Sequence, residues 1–195
     1  MLRRSIALSV LLLVALAPAA LAANVKIRVE GKTTTIFGPT QPRVTADNAL
    51  QALDAASTLG EFHYGMTASS FGDYVSQIGK YPATGSSGWA FKVNGVSPPV
   101  GADKVTLKDG DVVLWYYATF GTSGGPPTLE LQRLPANCYV VQSVTDAGKR
   151  TRAATATLIA DGKRFRTRNG RVCIGKHVGL VRATAPGAVR SNAQQ

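Results

Sequence analysis

The chain has 195 residues, with 22 Lys and Arg against 11 Asp and Glu, a formal net charge of +11 at pH 7, and only two histidines and two cysteines. His63 and His177 stand too far apart for a multi-histidine metal centre within one domain, and there is no Cys-x-x-Cys pair. No nucleophile elbow, phosphate loop or dinucleotide fingerprint is present, so catalysis is not expected.

The first residues join a basic start at Arg3 and Arg4 to an apolar stretch from Ile6 to Leu16, broken by Ser9, and to a small-residue exit at Ala20-Leu21-Ala22. This order predicts a secretory signal peptide over residues 1–23, cleaved after Ala22 or Ala23. The stretch stops short of the roughly 20 apolar residues that a membrane span needs. The paired arginines leave twin-arginine export open, although Ser5-Ile6-Ala7 does not match that signal. Asn24 stands where a lipoprotein signal would place cysteine, so a lipid anchor is not expected. The mature chain is expected outside the cytoplasm.

Val25, Ile27 and Val29 alternate with Lys26, Arg28 and Glu30, the period of a half-buried strand, and Thr33 to Phe37 can return beside it after Gly31. Beyond Pro42 a helix is predicted, with Thr45 as cap, Asp47 in its first turn, Ala49, Leu50, Leu53 and Ala56 on one face, and Gly60 at its end. Strands are then predicted at Phe62 and Tyr64, Phe71 to Ile78, Trp89 to Val93 and Val112 to Tyr117. Asn94-Gly95 and Lys108-Asp109-Gly110-Asp111 read as reversals, and the acids of the second are assigned to turn chemistry rather than to metal or acid-base work. The order is that of a β-grasp domain over residues 24–120, mainly β with one helix.

A Gly/Pro linker at 121–128 separates this part from a second, at 129–195. Residues 23–124 are neutral overall, whereas residues 125–195 hold twelve Lys and Arg against Glu130, Asp146 and Asp161, a net of +9. Short strands with reversals at Asp161-Gly162 and Asn169-Gly170 predict a small all-β sandwich: Thr155 to Ile159, Arg164 to Thr167, Val172 to Ile174, and Val178 to Ala183. Cys138 and Cys173 are expected to form a disulfide, the alternative being free thiols. Arg164, Arg166 and Arg168 share one face at a period of two, which is either an anion-binding ribbon or a solvated face. Outside the cell its partners would be anionic envelope polymers, lipid headgroups or an acidic partner protein, and nucleic acid is not expected.

Residues 48–120 resemble the C-terminal β domain of transcobalamin and intrinsic factor, and a related family of bacterial secreted domains of unknown function. The resemblance rests on Ala49 to Ala56, Phe62-His63-Tyr64, Ser69 to Gly79, Gly88-Trp89, Gly101-Ala102-Asp103 and Lys108 to Asp111. It implies cobalamin, or another flat ligand, contacted by the stretch Ser69, Ser70, Phe71, Gly72, Asp73 and Tyr74 and by Trp89 and Phe91. Aromatic rings there would supply flat apolar area. The chain lacks the helical barrel that encloses the rest of cobalamin in those carriers, which leaves open whether a partner chain completes such a site. Trp115 reads as core, and Trp89 as core or ligand contact. The second part weakly resembles bacterial immunoglobulin-like and carboxypeptidase-regulatory-like domains, in Ala160 to Lys163, Asn169 to Val172, Val181 to Ala183 and Gly187 to Asn192.

Overall fold

The alternating Val25-to-Glu30 segment lies in β1 (Ala23–Glu30) of a structure, a computed structural model, that describes residues 22–68, 73–122 and 124–195. Most of the expected signal peptide falls outside the described residues. β2 (Thr35–Phe37) returns antiparallel, pairing Phe37 with Val29. β3 (Arg43–Ala46) was not expected; it pairs with the start of β1, Ala46 opposite Ala23.

This extra strand moves the helix start. Thr45 lies within β3 and Asp47 precedes the helix, so neither takes its expected role; Asn48 caps α1 (Ala49–Gly60). The Asn48 Oδ1 accepts from the Gln51 amide at 2.9 Å, and Gln51 Oε1 accepts from the Asp47 amide at 2.8 Å. Asn and Thr side chains satisfy the same free N–H groups, so residue type alone does not choose between them. At the far end Glu61, not Gly60, takes the left-handed conformation, with φ 51°. Gly60 serves close approach instead: a Cβ there would stand 2.5 Å from Phe37 Cδ2. Gly60→Ala is expected to cost about 1–3 kcal/mol through overpacking, read as a lower urea midpoint at unchanged slope.

β4 (Tyr64–Thr67), β5 (Tyr74–Ile78) and β6 (Tyr81–Pro82) form a small antiparallel sheet, which begins at Tyr64 rather than Phe62. β7 (Ser87–Val93) and β8 (Val112–Thr119) complete the main sheet in the order β2-β1-β8-β7, with β1 parallel to β8. A single helix over a mixed sheet with these two strands side by side is the β-grasp-like arrangement expected. Val25, Ile27 and Val29 are fully buried in the cluster that includes Ala49, Ala52, Leu53 and Ala56 of the helix. Asn94 and Gly95 have φ of 53° and 87°, as a tight hairpin reversal requires. Asp111 accepts from Asn94 Nδ2 and the Lys108 amide at 2.8 Å each, both within reversals, and Asp109 accepts from the Asn24 amide at the start of β1 at 2.7 Å, so both acids are spent on holding the reversal in place.

The second half contains seven strands: β9 (Thr128–Leu134), β10 (Cys138–Val144), β11 (Arg150–Arg152), β12 (Thr157–Ala160), β13 (Lys163–Arg166), β14 (Arg171–Cys173) and β15 (Arg182–Thr184). β9, β10, β11 and β14 make one sheet, and β13-β12-β15 another. Leu129, Leu131, Tyr139 and Val141 of the first meet Leu158, Ala160 and Ala183 of the second in one core. The expected strand from Val178 is shorter, because Val178 is 86% exposed; pairing starts with a bridge from Val181 to Gln194, and β15 itself begins at Arg182. Cys138 and Cys173 are disulfide-bonded across the register pair that joins β10 to β14.

The polar half of β1 is not solvated. Along one face of the main sheet Arg28, Leu114 and Lys92 form one cross-strand row, and Glu30, Tyr116 and Ala90 the next. Arg28, Glu30 and Lys92 are at most 2% exposed, since the second half covers this face. Arg182 and Arg190 both bond the Glu30 carboxylate, Arg190 at 2.9 Å, and Arg28 reaches it at 3.0 Å. Lys92 Nζ donates to the carbonyls of Val144 and Thr145 at 3.1 Å each and pairs with Asp146 at 3.2 Å. Burial pushes the Arg28 guanidinium down, to about 10, still well above neutral pH, so it stays charged.

Burial, helped by the Asp146 carboxylate, pushes the Tyr116 phenol up to about 12. The unfolded chain releases that proton near 10, so stability is expected to fall as pH rises from about 10 to about 12. The pH dependence of the denaturant midpoint checks this, and Tyr116→Phe should flatten it.

Candidate functional site

On β7 the two-residue period places Trp89 and Phe91 on one face, opposite Tyr117 and Trp115 of β8. Trp89 meets Tyr117 edge-on at 5.5 Å, and Phe91 stacks on Trp115 at 5.1 Å. Such cross-strand aromatic pairs stabilise a sheet and fix ring orientation. Trp115 is 3% exposed and its Nε1 donates to the Ala49 carbonyl at 3.1 Å, which makes it core. Trp89 is half-buried and its Nε1 donates to the Tyr81 carbonyl at 2.8 Å.

β5 lies against β7 and brings Tyr74 and Val75 to these rings. The result is a cavity of about 110 Å³, lined by Leu50, Met66, Tyr74, Val75, Trp89, Phe91 and Trp115 together with Gly101, Ala102 and the carboxylates Asp73 and Asp103. Tyr74, Val75 and Trp89 also wall a second opening of about 480 Å³, which continues along Ala83 to Gly88 and Phe120. Asp103 pairs with Lys104 at 2.8 Å, and this hydrogen bond holds its carboxyl below the usual range. Asp73 makes no salt bridge among the described residues.

Of the residues expected to contact a ligand, Asp73, Tyr74, Trp89 and Phe91 come together at one cavity, while Ser69, Ser70, Phe71 and Gly72 lie outside the described residues. Sequence reasoning did not single out Leu50, Met66 or Asp103 as site residues. Asp103 carried a signal only as part of Gly101-Ala102-Asp103.

In the second half Arg164 and Arg166 are exposed on β13 and border a cleft of about 620 Å³ with Thr157 and Thr184. Arg168 is exposed but lies past the end of β13, where it bridges to Arg171, so the expected row of three is a pair on the strand and a third residue on the following turn. The acids of this half are occupied elsewhere. Glu130 pairs with Arg150 at 2.9 Å and Asp146 with Lys92. Asp161 accepts from the Val178 and Gly179 amides, which lowers its pKa. Among the described residues no three His, Cys, Asp or Glu side chains are grouped to hold a metal ion, and no helix is long and apolar enough to cross a membrane.

No curated protein matches the chain. A solved structure described as a "putative metal binding protein" from Ruminococcus gnavus aligns with 51% of this chain and 99% of its own, at 13% identity and a TM-score of 0.39, too low a similarity to transfer a ligand. Residues 44–119, which include every residue that lines the 110 Å³ cavity, match the family described as "Domain of unknown function (DUF4430)".

Proposed function

We propose that the chain is an exported, non-catalytic binding protein whose first half holds a small flat ligand against Tyr74, Trp89 and Phe91. The observation that carries this reading is the meeting of those three side chains, from two separate strands, at one cavity that shares the walls Tyr74, Val75 and Trp89 with a larger opening. Trp89 is suited to the contact because its indole N–H is already satisfied, which leaves an apolar ring at the wall. The disulfide supports an oxidising compartment outside the cytoplasm. Cobalamin is the ligand that the family resemblance suggests. A corrin is too large for the 110 Å³ cavity and would have to lie across the outer opening.

Titration of the purified chain with cobalamin and cobinamide, followed by corrin absorbance and tryptophan fluorescence, tests the reading. Saturable binding is expected, weakened about tenfold or more by Trp89→Ala, the loss typical of an aromatic anchor. Absence of binding at high micromolar concentration removes the corrinoid form.

A second reading is favoured by the exposure of Arg164, Arg166 and Arg168 and by the lack of any salt bridge to them among the described residues. In that reading the second half adheres to anionic envelope polymers. Retention on anionic cell-wall preparations should fall with added salt and with Arg164, Arg166 and Arg168 changed to Ser. Retention that responds to neither counts against it.

A further inference from the structure

The 110 Å³ cavity has a lining with hydrogen-bond acceptors but few donors. Both indole N–H groups at its wall are consumed internally, Trp89 on the Tyr81 carbonyl and Trp115 on the Ala49 carbonyl. No Lys or Arg lines it, and the charged groups that do are Asp73 and Asp103. A neutral flat ligand would gain from those two carboxylates only through N–H or O–H donors of its own, and an anion would be repelled by them. A cation against aromatic faces gains from both the ring quadrupoles and the acids. The volume is that of about four water molecules at roughly 30 Å³ each, room for a compact head group but not for a macrocycle.

We infer that this cavity takes the head group of an organic cation, a quaternary or alkyl ammonium, between the rings of Tyr74, Trp89 and Phe91, with Asp73 as its counter-charge. The inference rests on the ligand reading above and names the chemical class of the part that enters. Asp103 is already shared with Lys104, whereas Asp73 makes no salt bridge among the described residues. The apolar body of such a molecule would run over Trp89 and Tyr74 into the outer opening, which shares those two residues with the cavity.

The test is a set of calorimetric and tryptophan-fluorescence titrations of the purified chain with choline, with its neutral isostere 3,3-dimethylbutan-1-ol, and with cobinamide. Choline is expected to bind at least about threefold more tightly than the isostere, the discrimination a partly exposed cation–π contact supplies. Asp73→Asn, at an exposed position where folding is not at stake, should remove most of that preference. Equal binding of choline and isostere, or choline binding unchanged in Asp73→Asn, overturns the cation inference and leaves the ligand reading standing. Binding of cobinamide without choline has the same effect. Failure of all three probes overturns both.

Discussion

Glu30→Ala is expected to lower the stability of the whole chain by about 3–5 kcal/mol, the cost of leaving buried charge without its partner. Glu30 is fully buried and is the carboxylate on which Arg28, Arg182 and Arg190 converge. Removing it leaves cations facing one another at the junction of the two halves, and Arg28 Nε already has no hydrogen-bond partner among the described residues. Glu30→Gln should cost less, because an amide oxygen still accepts from the guanidinium groups. Replacing Arg28 together with Glu30 by apolar residues of similar size should recover part of the loss, since a buried ion pair is often replaced at little cost. Urea unfolding followed by circular dichroism measures all three variants. A loss below about 1 kcal/mol for Glu30→Ala, within the range of exposed ion pairs, would show that the cluster does not hold the halves together.

Opening the Cys138–Cys173 bond, by reduction or as the double Ser variant, is expected to cost roughly 4 kcal/mol on the loop-entropy relation for a separation of 35 residues. Cys173 is exposed, so a reductant reaches the bond in the folded protein. The loss should not be confined to the second half, because Lys92 and Glu30 tie the main sheet to it. Tryptophan fluorescence, which reports the first half alone since Trp89 and Trp115 both lie there, should therefore move to lower denaturant together with circular dichroism. A fluorescence midpoint untouched by reduction would mean that the halves unfold independently.

Much of the local structure is written in short-range chemistry. The apolar alternation of β1 and the reversals at Asn94-Gly95, Asp161-Gly162 and Asn169-Gly170 follow from side-chain period and from tolerance of positive φ, which the structure shows at all three pairs. Arg43 to Ala46 escaped notice because four residues after a proline carry too little pattern to tell a strand from the approach to a helix. The fate of the charged residues was not legible either. Arg28 and Glu30 sit where a half-buried strand keeps its solvated side, and nothing nearby in sequence says that Arg182 and Arg190, some 150 residues on, will cover them. The net charge of +9 counts these two arginines with the rest of the second half, whereas they are spent on the buried carboxylate. At the aromatic cavity, the resemblance brought Tyr74, Trp89 and Phe91 into view, but Asp103 and Met66 needed the fold, because their relation to Trp89 is made by packing between separate elements, a helical turn and a strand, rather than by spacing along one.

The rows Arg28–Leu114–Lys92 and Glu30–Tyr116–Ala90 also bear on how this chain can diversify. A gene fragment encoding the first half alone would place a carboxylate, an arginine, a lysine and a tyrosine on an open sheet face, and the second half alone would carry Arg182, Arg190 and Asp146 to a surface without their counterparts. Shuffling either half into another protein thus demands several coordinated substitutions, while duplication of the two together demands none. Despite the Gly- and Pro-rich connection between them, the two halves are therefore expected to be inherited as one unit.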